Sequence, residues 1–457
     1  MASIITVGLG FGDEGKGTLV DFLSREHSIH NVIRYNGGPQ AAHNVVSPEG
    51  TWHCFAQFGS HSLEKGKASY LSQYMFVDFL AMHKEENVLE QKGYNNVYER
   101  LFIHPECPVI TPFHQLVNKI RERQNLHGSC GMGVGEVFSD MQQKNLVIKA
   151  TDFRDFHSFS YKLRVLLEQK ITQAEQLGAT SFEEYSYLKN INILSLLQHY
   201  RKIHTLLKEN ILYLEDTNFF TEECIYEGAQ GTLLDKNFGF FPHVTPSDTT
   251  IHNAELLESQ RNQELGQKIG ITRCYATRHG NGPFVTEDVE LNAILSDSYN
   301  QPTPWQGKMR FGWLDLIALR YSLQCNESID GLAITCLDEL ASLSMIQVCY
   351  KYILKQKFFT EDIAKYFVFE EKNEELHILG IKKNEQLNLE KRYAITKVLF
   401  QARPMYRSFP AWEYVINTGQ LHQNLKSWFG FLESSEGLGK PIAVLSYGKT
   451  AKEKICL

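Results

Sequence analysis

The sequence predicts an α/β protein: a large, mainly parallel central sheet flanked by helices, a P-loop-like phosphate-binding loop after the first strand, a helical subdomain and insertions. Three observations predict it. At the N-terminus a short β-rich apolar run, residues 4 to 9, meets a glycine-rich turn and then "TLVDFLS", whose apolar positions recur at helical spacing. Further along, short strand-like runs alternate with helical patterns, which is the signature of strands joined by crossover helices. The chain has 457 residues, 43% of them hydrophobic, so it can bury a large core as one big domain or two.

Taken in order, the strand-like runs are "NVIRYN" (31–36), "NLVIKA" (145–150), "ECIYEGA" (223–229), "GITRCYAT" (270–277) and "GLAITCL" (331–337). Helical patterns fall at "FHSFSYKLRVLLEQKITQAEQL" (156–177) and "LDLIALRYSLQ" (314–324). Residues 155–211 are helix-rich and charged and read as a subdomain. Residues 350–392 read as a polar insertion, helical or hairpin, to which no function attaches. No internal repeat or low-complexity tract is visible.

Composition excludes several classes. No basic leader or small-residue cleavage site follows Met1, and no apolar stretch is long enough to span a bilayer, so the expectation is a soluble cytoplasmic protein without membrane contact. Nine cysteines lie scattered without a CxxC pair, which argues for free thiols against a disulfide framework or structural zinc. A net charge of -7 with no long basic run leaves little claim on nucleic acid. A small anionic substrate needs only a local cluster of cations.

The chemistry concentrates in "GLGFGDEGKG", residues 8–17. Gly10, Gly15 and Lys16 keep the phosphate-loop spacing, yet Gly17 stands where that motif wants Ser or Thr, and Asp13 and Glu14 sit inside the loop. A carboxylate about 4 Å from a phosphate oxygen is repelled by roughly 1 kcal/mol per charge pair even in water, so a cation has to lie between them. Magnesium satisfies this, since it takes oxygen ligands and bridges carboxylate to phosphate. The glycines admit backbone N–H groups to the phosphates, the helix N-terminus favours them, and Lys16 adds a point charge. The bland alternative is a glycine-rich turn carrying a solvated Asp-Glu pair.

Two other clusters leave their roles open. In "RYNGGPQAAHNVV" (34–46), His43 taken alone is as compatible with a structural histidine as with a catalytic one. In "IYEGAQGTLLDKNFGFFPHVTPSDTT" (225–250), Gln230 either reads a base edge through its amide or merely caps a strand.

Together, "GFGDEGKG", "RYNGG" with "AAHN", "EGAQGTLLD" with "FGFFPHVTPSDTT", "ATRHGNGPFVTED", "GWLDLIALRYS", "LDEL" and "FPAWE" resemble, in that order, the adenylosuccinate synthetase family. The matches span almost the whole chain, which implies one family-like domain over residues 1–457. The resemblance implies a GTP- and magnesium-dependent ligase, typically a homodimer, that joins aspartate to inosine monophosphate and releases GDP and phosphate. It implies that Asp13 coordinates magnesium and takes the purine N1 proton, so that the 6-oxygen attacks the γ-phosphate. His43 would stabilise the transferring phosphoryl, Lys16 bind phosphate and Gln230 hold the purine, with the backbone at Ala42 completing the metal shell. By the same resemblance Gly12, Glu14, Gly15, Gly17, Thr18, Ser446 and Gly448 would hold GTP. Asp338 would accept from guanine N1–H and its exocyclic amine. Gln40, Cys130, Lys144, Thr245, Lys308 and Arg310 would face the purine nucleotide and the amine.

Departures from the family pattern cluster in the substrate loops. Ser129, Cys130 and Met132 replace two threonines and an arginine, Gln40 replaces an asparagine, and Lys144 replaces the arginine that reaches across the dimer to the 5′-phosphate. In "PWQGKMRFGW" (304–313) only Lys308 and Arg310 remain of an arginine-rich amino-acid loop, and a lysine does not reproduce the bidentate arginine fork. Cys336 stands where a lysine would pack on guanine, and His279 replaces an apolar residue, read as a packing change more than a new ligand contact. Residues for activating the 6-oxygen persist while those gripping the 5′-phosphate and the aspartate have changed. Two alternatives therefore stand beside ordinary adenylosuccinate synthesis: the same chemistry on another purine or amine, and a non-catalytic guanine-nucleotide-binding homologue.

Overall fold

The computed structural model describes residues 3–125, 129–261, 266–296, 307–341, 343–358, 360, 364–372, 375–383, 388–417 and 419–457. In chain order its first strands are β1 (Ile4–Gly8), β2 (Asn31–Arg34), β3 (His43–Val46), β4 (Trp52–Phe55), β5 (Ala68–Leu71) and β6 (Leu101–Ile103). Next come β7 (Cys224–Glu227), β8 (Gln267–Arg273), β9 (Ala276–Arg278), β10 (Arg310–Gly312), β11 (Leu314–Asp315) and β12 (Gly331–Thr335). Then follow β13 (Met345–Lys355), β14 (Phe367–Lys372), β15 (Glu375–Ile381), β16 (Arg403–Pro410), β17 (Ile416–Asn417), β18 (Gln420–Leu421), β19 (Ile442–Ser446) and β20 (Lys454–Cys456).

Nine strands form the main sheet in the order β20-β19-β12-β8-β1-β7-β2-β5-β6. All its neighbours run parallel except the edge pair β19–β20. Parallel strands are covered on both faces, and β1, β2, β7 and β12 are buried at every position, including the polar Asn31, Arg34 and Glu227. The helix α1 (Lys16–Glu26) leaves the carboxyl end of β1 through Gly15, whose φ of 85° suits glycine. A second sheet, ordered β11-β13-β15-β14 with β16 on the other side of β13, lies in the C-terminal part of the chain.

Within residues 155–211 the chain forms the helices Phe156–Gln176, Glu183–Lys189 and Ile193–Leu207. Their apolar stripes, with Phe159, Leu163, Tyr200 and Ile203, share one buried cluster with Leu71, Leu101 and Ile103 at the β5–β6 edge of the sheet. Of residues 350–392, the described part holds the end of β13, a 3-10 turn at Gln356–Phe358, the hairpin β14–β15 and the start of the helix Leu389–Gln401. The nine cysteines are free. Among the described residues no helix is long and apolar enough to cross a membrane.

One expected strand is absent. The run "NLVIKA" is extended, but only Lys149 makes an isolated bridge, to Pro108, before a short helix begins at Ala150. Ile148 is fully enclosed, its carbonyl accepts from Val109 N at 2.8 Å and Ala150 N donates to Cys107 O at 2.8 Å, so a single antiparallel bridge stands where a strand was expected.

Within the second sheet a buried contact ties β11 to β13 and to the helix that follows. Asp315 caps the helix Leu316–Cys325 by accepting from Ile317 N and Ala318 N, both at 3.1 Å, and the Tyr352 hydroxyl of β13 donates to its other oxygen at 2.6 Å. Burial pushes the Asp315 carboxyl up to about 6, so above that pH this hydrogen bond serves an ion out of water. Tyr352→Phe is expected to cost about 1.5 to 3 kcal/mol at pH 8, as for a lost bond to a buried charge, measured by urea unfolding.

Candidate active site

The loop between β1 and α1 is built around Glu14. Its side chain turns inward and accepts from Gly10 N at 2.9 Å and Gly12 N at 2.8 Å, while Lys16 Nζ donates to its second oxygen at 2.6 Å and to Gly12 O at 2.7 Å. Thr335 Oγ1 donates to Glu14 O at 2.7 Å, and the Arg273 guanidinium donates to the carbonyl of Asp13. Glu14 is 4% exposed and so does not line the nucleotide side as expected; it fastens the loop. The Asp13 side chain takes the opposite direction, to a place where two cavities meet.

The smaller cavity, about 280 Å³, is bordered by Gly12, Asp13, Gly15, Lys16, Gly17 and Thr18 on one side and by Ala42 and His43 on another. Thr335, Cys336 and Asp338 after β12, and Ser446 and Gly448 after β19, close it. These segments all leave the carboxyl ends of parallel strands, where open α/β sheets hold their ligands. Apart from Glu14, every residue expected to hold GTP lies here. Cys336 adopts a left-handed φ of 58°, which aims the chain toward Asp338.

The larger cavity, about 640 Å³, is bordered by Gln40, Cys130, Gln230 and Thr245, together with Arg278 and His279. Gln230 also has a left-handed φ, 56°, in the turn after β7. Gln40 Oε1, Gln230 Oε1 and His279 Nδ1 are buried without a hydrogen-bond partner. Buried polar atoms are nearly always paired, so these three mark a place for a polar ligand. Gly12, Asp13, Ala42 and His43 border both cavities.

His43 is held by a residue that sequence reading missed. Glu227, the last residue of β7, lies 2.5 Å from His43 Nδ1 and also accepts from Ser60 N at 3.0 Å and from the Ser60 hydroxyl. A carboxylate only accepts, so the imidazole proton sits on Nδ1 and Nε2 is the ring nitrogen open to a ligand. The Arg34 guanidinium and the His43 and Ser60 bonds hold the Glu227 carboxyl down to about 2 against its burial. Burial, with Arg34 nearby, lowers His43 to about 4. Nothing in the spelling "IYEGAQG" pairs a glutamate with a histidine 184 residues away; only the β1–β7–β2 order does.

Gly17 also acquires a reason. A Cβ there would stand 2.7 Å from His43 Cβ and 3.0 Å from Ser60 Oγ, so the Ser or Thr of an ordinary phosphate loop has no room.

Asp13 itself is drawn upward from the ordinary carboxylate range by burial, with His279, Arg273 and Lys16 opposing. Its oxygens and the Ala42 backbone at the shared wall suit magnesium, which takes few protein ligands and completes its shell with water and phosphate. Among the described residues there is no group of three or more His, Cys, Asp or Glu that would hold a metal by protein ligands alone.

Lys144, expected to reach across a dimer, ends the helix Val134–Gln143 on the exposed surface and borders neither cavity of its own chain. Two cations expected at the substrate stand elsewhere. Lys308 is exposed and borders neither. Arg310 is committed: it pairs with Glu287 at 2.7 Å and donates to Gly280 O and Gly282 O at 2.7 and 2.8 Å, bracing from behind the loop that walls the larger cavity. Residues 304–306 of that amino-acid loop lie outside the described residues.

The histidine at the shared wall makes stability pH-dependent. With His43 neutral in the fold down to about 4, the unfolded chain takes up a proton first as pH falls below 6.5, so stability drops with falling pH. His43→Asn is expected to flatten this dependence between pH 6.5 and 4.5 by up to about 1.4 kcal/mol per pH unit, read from urea unfolding at several pH values.

Comparison with known proteins agrees with the fold and with the family resemblance of the sequence. A sequence model of the adenylosuccinate synthetase family matches residues 5–455. The adenylosuccinate synthetase of Buchnera aphidicola is 34% identical over 356 residues, covering 77% of this chain and 80% of that one. That of Aquifex aeolicus is 29% identical over 478 residues, covering 100% and 98%. Among solved structures, fully ligated adenylosuccinate synthetase from Plasmodium falciparum superposes over the whole of both chains with a TM-score of 0.78 at 22% identity. The succinoaminodeoxyadenylate synthetase of cyanophage S-2L shares the fold more loosely, with a TM-score of 0.58 at 13% identity over 100% of this chain and 95% of that one. The chain thus belongs to the adenylosuccinate synthetase family of GTP-dependent carbon–nitrogen ligases.

Proposed function

We propose that this chain binds GTP in the smaller cavity and a 6-oxopurine nucleotide such as inosine monophosphate in the larger, and replaces the 6-oxygen with an amine, most simply aspartate. The observation that carries the reading is the wall common to both cavities, where Asp13 and His43 stand together. A phosphoryl group passing between two bound nucleotides has to pass these residues.

In this reading Asp13 accepts the purine N1 proton. The 6-oxygen then attacks the γ-phosphorus as the bond to the β–γ bridging oxygen breaks and GDP leaves; the amine adds at C6, loses a proton and expels the phosphate. Lys16 and the loop N–H groups neutralise phosphate oxygens. Glu227 fixes the His43 ring, and the anionic phosphoryl group draws a proton to Nε2, which then donates to it. Asp13 and the Ala42 backbone would hold magnesium, which would supply charge neutralisation at the phosphates. Gln230 holds the purine, and Asp338 reads guanine. The reading places the protein in the cytoplasm as a homodimer, in which Lys144 has a partner surface to reach.

One observation favours a second reading, the same chemistry on a different purine or amine. Arg310, which should grip the amine's carboxylates, spends its donors on Glu287, Gly280 and Gly282.

A mass-resolved assay with GTP, magnesium, inosine monophosphate and aspartate, against the mixture without aspartate, separates the two. Adenylosuccinate and GDP are expected; GTP binding without product sends the search to other purines and amines. Glu227→Gln should lower kcat about a hundredfold with the KM for GTP little changed, since it disturbs the orientation of a catalytic imidazole without touching the base site.

A further inference from the structure

Arg278, the last residue of β9, is a buried cation without an anion. It is 1% exposed, borders the larger cavity and lies over the Phe11 ring, its Cζ 4.0 Å from the ring centroid. Nη1 donates to Pro283 O at 2.9 Å and Nη2 to His243 O at 3.4 Å, both neutral acceptors, and Nε is buried without a partner. Among the described residues no carboxylate pairs with it, while burial and the nearby Arg310 both weigh against its charge. A guanidinium does not shed its proton to escape such a place, so the cost stands until an anion arrives.

Two features hold the guanidinium in its seat and set it apart from its neighbour. A Cβ at Gly282 would overlap Nη2, so glycine is the residue that leaves it room. Arg310 stands directly opposite Arg278 in the β9–β10 pair, a placing of like charges that disfavours the pair. Arg310 is compensated by Glu287 and by the carbonyls of Gly280 and Gly282. Of the two, Arg278 is the one left without an anion.

Position selects which anion. Phe11 lies two residues before Asp13, so the guanidinium packs beside the loop where the N1 and C6 edge of the purine would react. The GTP phosphates belong to the smaller cavity, which Arg278 does not border. The 5′-phosphate is at the opposite end of a nucleotide from C6. The amine has to reach C6 itself, and it brings its carboxylate to that edge.

Resting on the ligase reading, we propose that Arg278 is a substrate-binding residue of this chain, receiving the carboxylate of the incoming amine through its unspent N–H donors. A guanidinium fork matches a carboxylate in shape as well as charge. Arg310 in this arrangement is a positioning residue: it fixes the carbonyls on either side of the segment that leaves room for Arg278.

Steady-state kinetics of the wild type, Arg278→Lys and Gly282→Ala, with GTP, inosine monophosphate and aspartate varied in turn in the presence of magnesium, test it. Lysine keeps the charge and loses the fork, whereas the alanine Cβ displaces the guanidinium without removing it. The expected result is a KM for aspartate raised about thirtyfold in both, with the KM values for GTP and inosine monophosphate within about twofold of wild type. A KM for aspartate within about threefold of wild type in Arg278→Lys, or a rise confined to inosine monophosphate, overturns the proposal. Equal rises for all three substrates, or failure of both variants to fold, overturn it as well, since they are the result for a mere brace of the Pro283 and His243 carbonyls. If the wild type forms no product, the aspartate form of the ligase reading fails by itself. The seat is then read by calorimetric titration of succinate, a dicarboxylate without an amine, into the wild type and Arg278→Lys in the presence of inosine monophosphate. Binding weakened about tenfold or more in the variant supports the contact; equal binding, or none to the wild type, overturns it.

Discussion

The site depends on the inward turn of one carboxylate. Glu14 gathers two loop N–H groups and the Lys16 ammonium into one buried cluster, and that cluster holds the glycine-rich loop in a single shape. Each partner is itself nearly sealed from water, the Lys16 and Glu14 side chains being 1% and 5% exposed. A buried ion pair of this kind contributes little net stability, yet removing either member leaves a lone charge behind. Its effect is geometric. With Glu14 facing in, Asp13 must face out, and the Thr335 and Arg273 contacts to the carbonyls of the two residues secure the alternation.

Around that loop the fold supplies position and little else. Parallel strands β1, β8, β12 and β19 end side by side, so segments far apart in the chain deliver Asp13, Cys336, Asp338 and Ser446 to one cleft. β7 and β2, on the other side of β1, bring Glu227 and the segment leading to His43 to the same wall. The helical layer and the second sheet enclose this arrangement, and the Trp412 indole donates to Leu337 O at 2.8 Å, tying "FPAWE" to the residue before Asp338.

Much of this was legible in the sequence, for definable reasons. The strand, loop and helix at the N-terminus are local, and their apolar period and glycines are sufficient to specify them. The residues of the smaller cavity were legible because they lie in ordered motifs. What escaped was non-local. Glu227 looked like a strand residue until the sheet order set it beside His43. Arg310 looked like a free cation because Glu287 and the carbonyls that claim it are 23 or more residues away. "NLVIKA" showed that an apolar run reports enclosure, while a strand also needs a neighbour with unpaired N–H and C=O groups.

The missing side chain at residue 17 carries a consequence for how such sites can vary. In an ordinary phosphate loop the residue after the lysine gives a hydroxyl oxygen to the metal. Here the Cβ of residue 43 and the Ser60 hydroxyl fill that space, so a side chain at 17 collides with the start of β3 whatever its hydroxyl offers. Position 17 is therefore set by the approach of β3 to the helix start: this loop can change its side chains at 13 or 43 one at a time, but a residue larger than glycine at 17 requires β3 to move away.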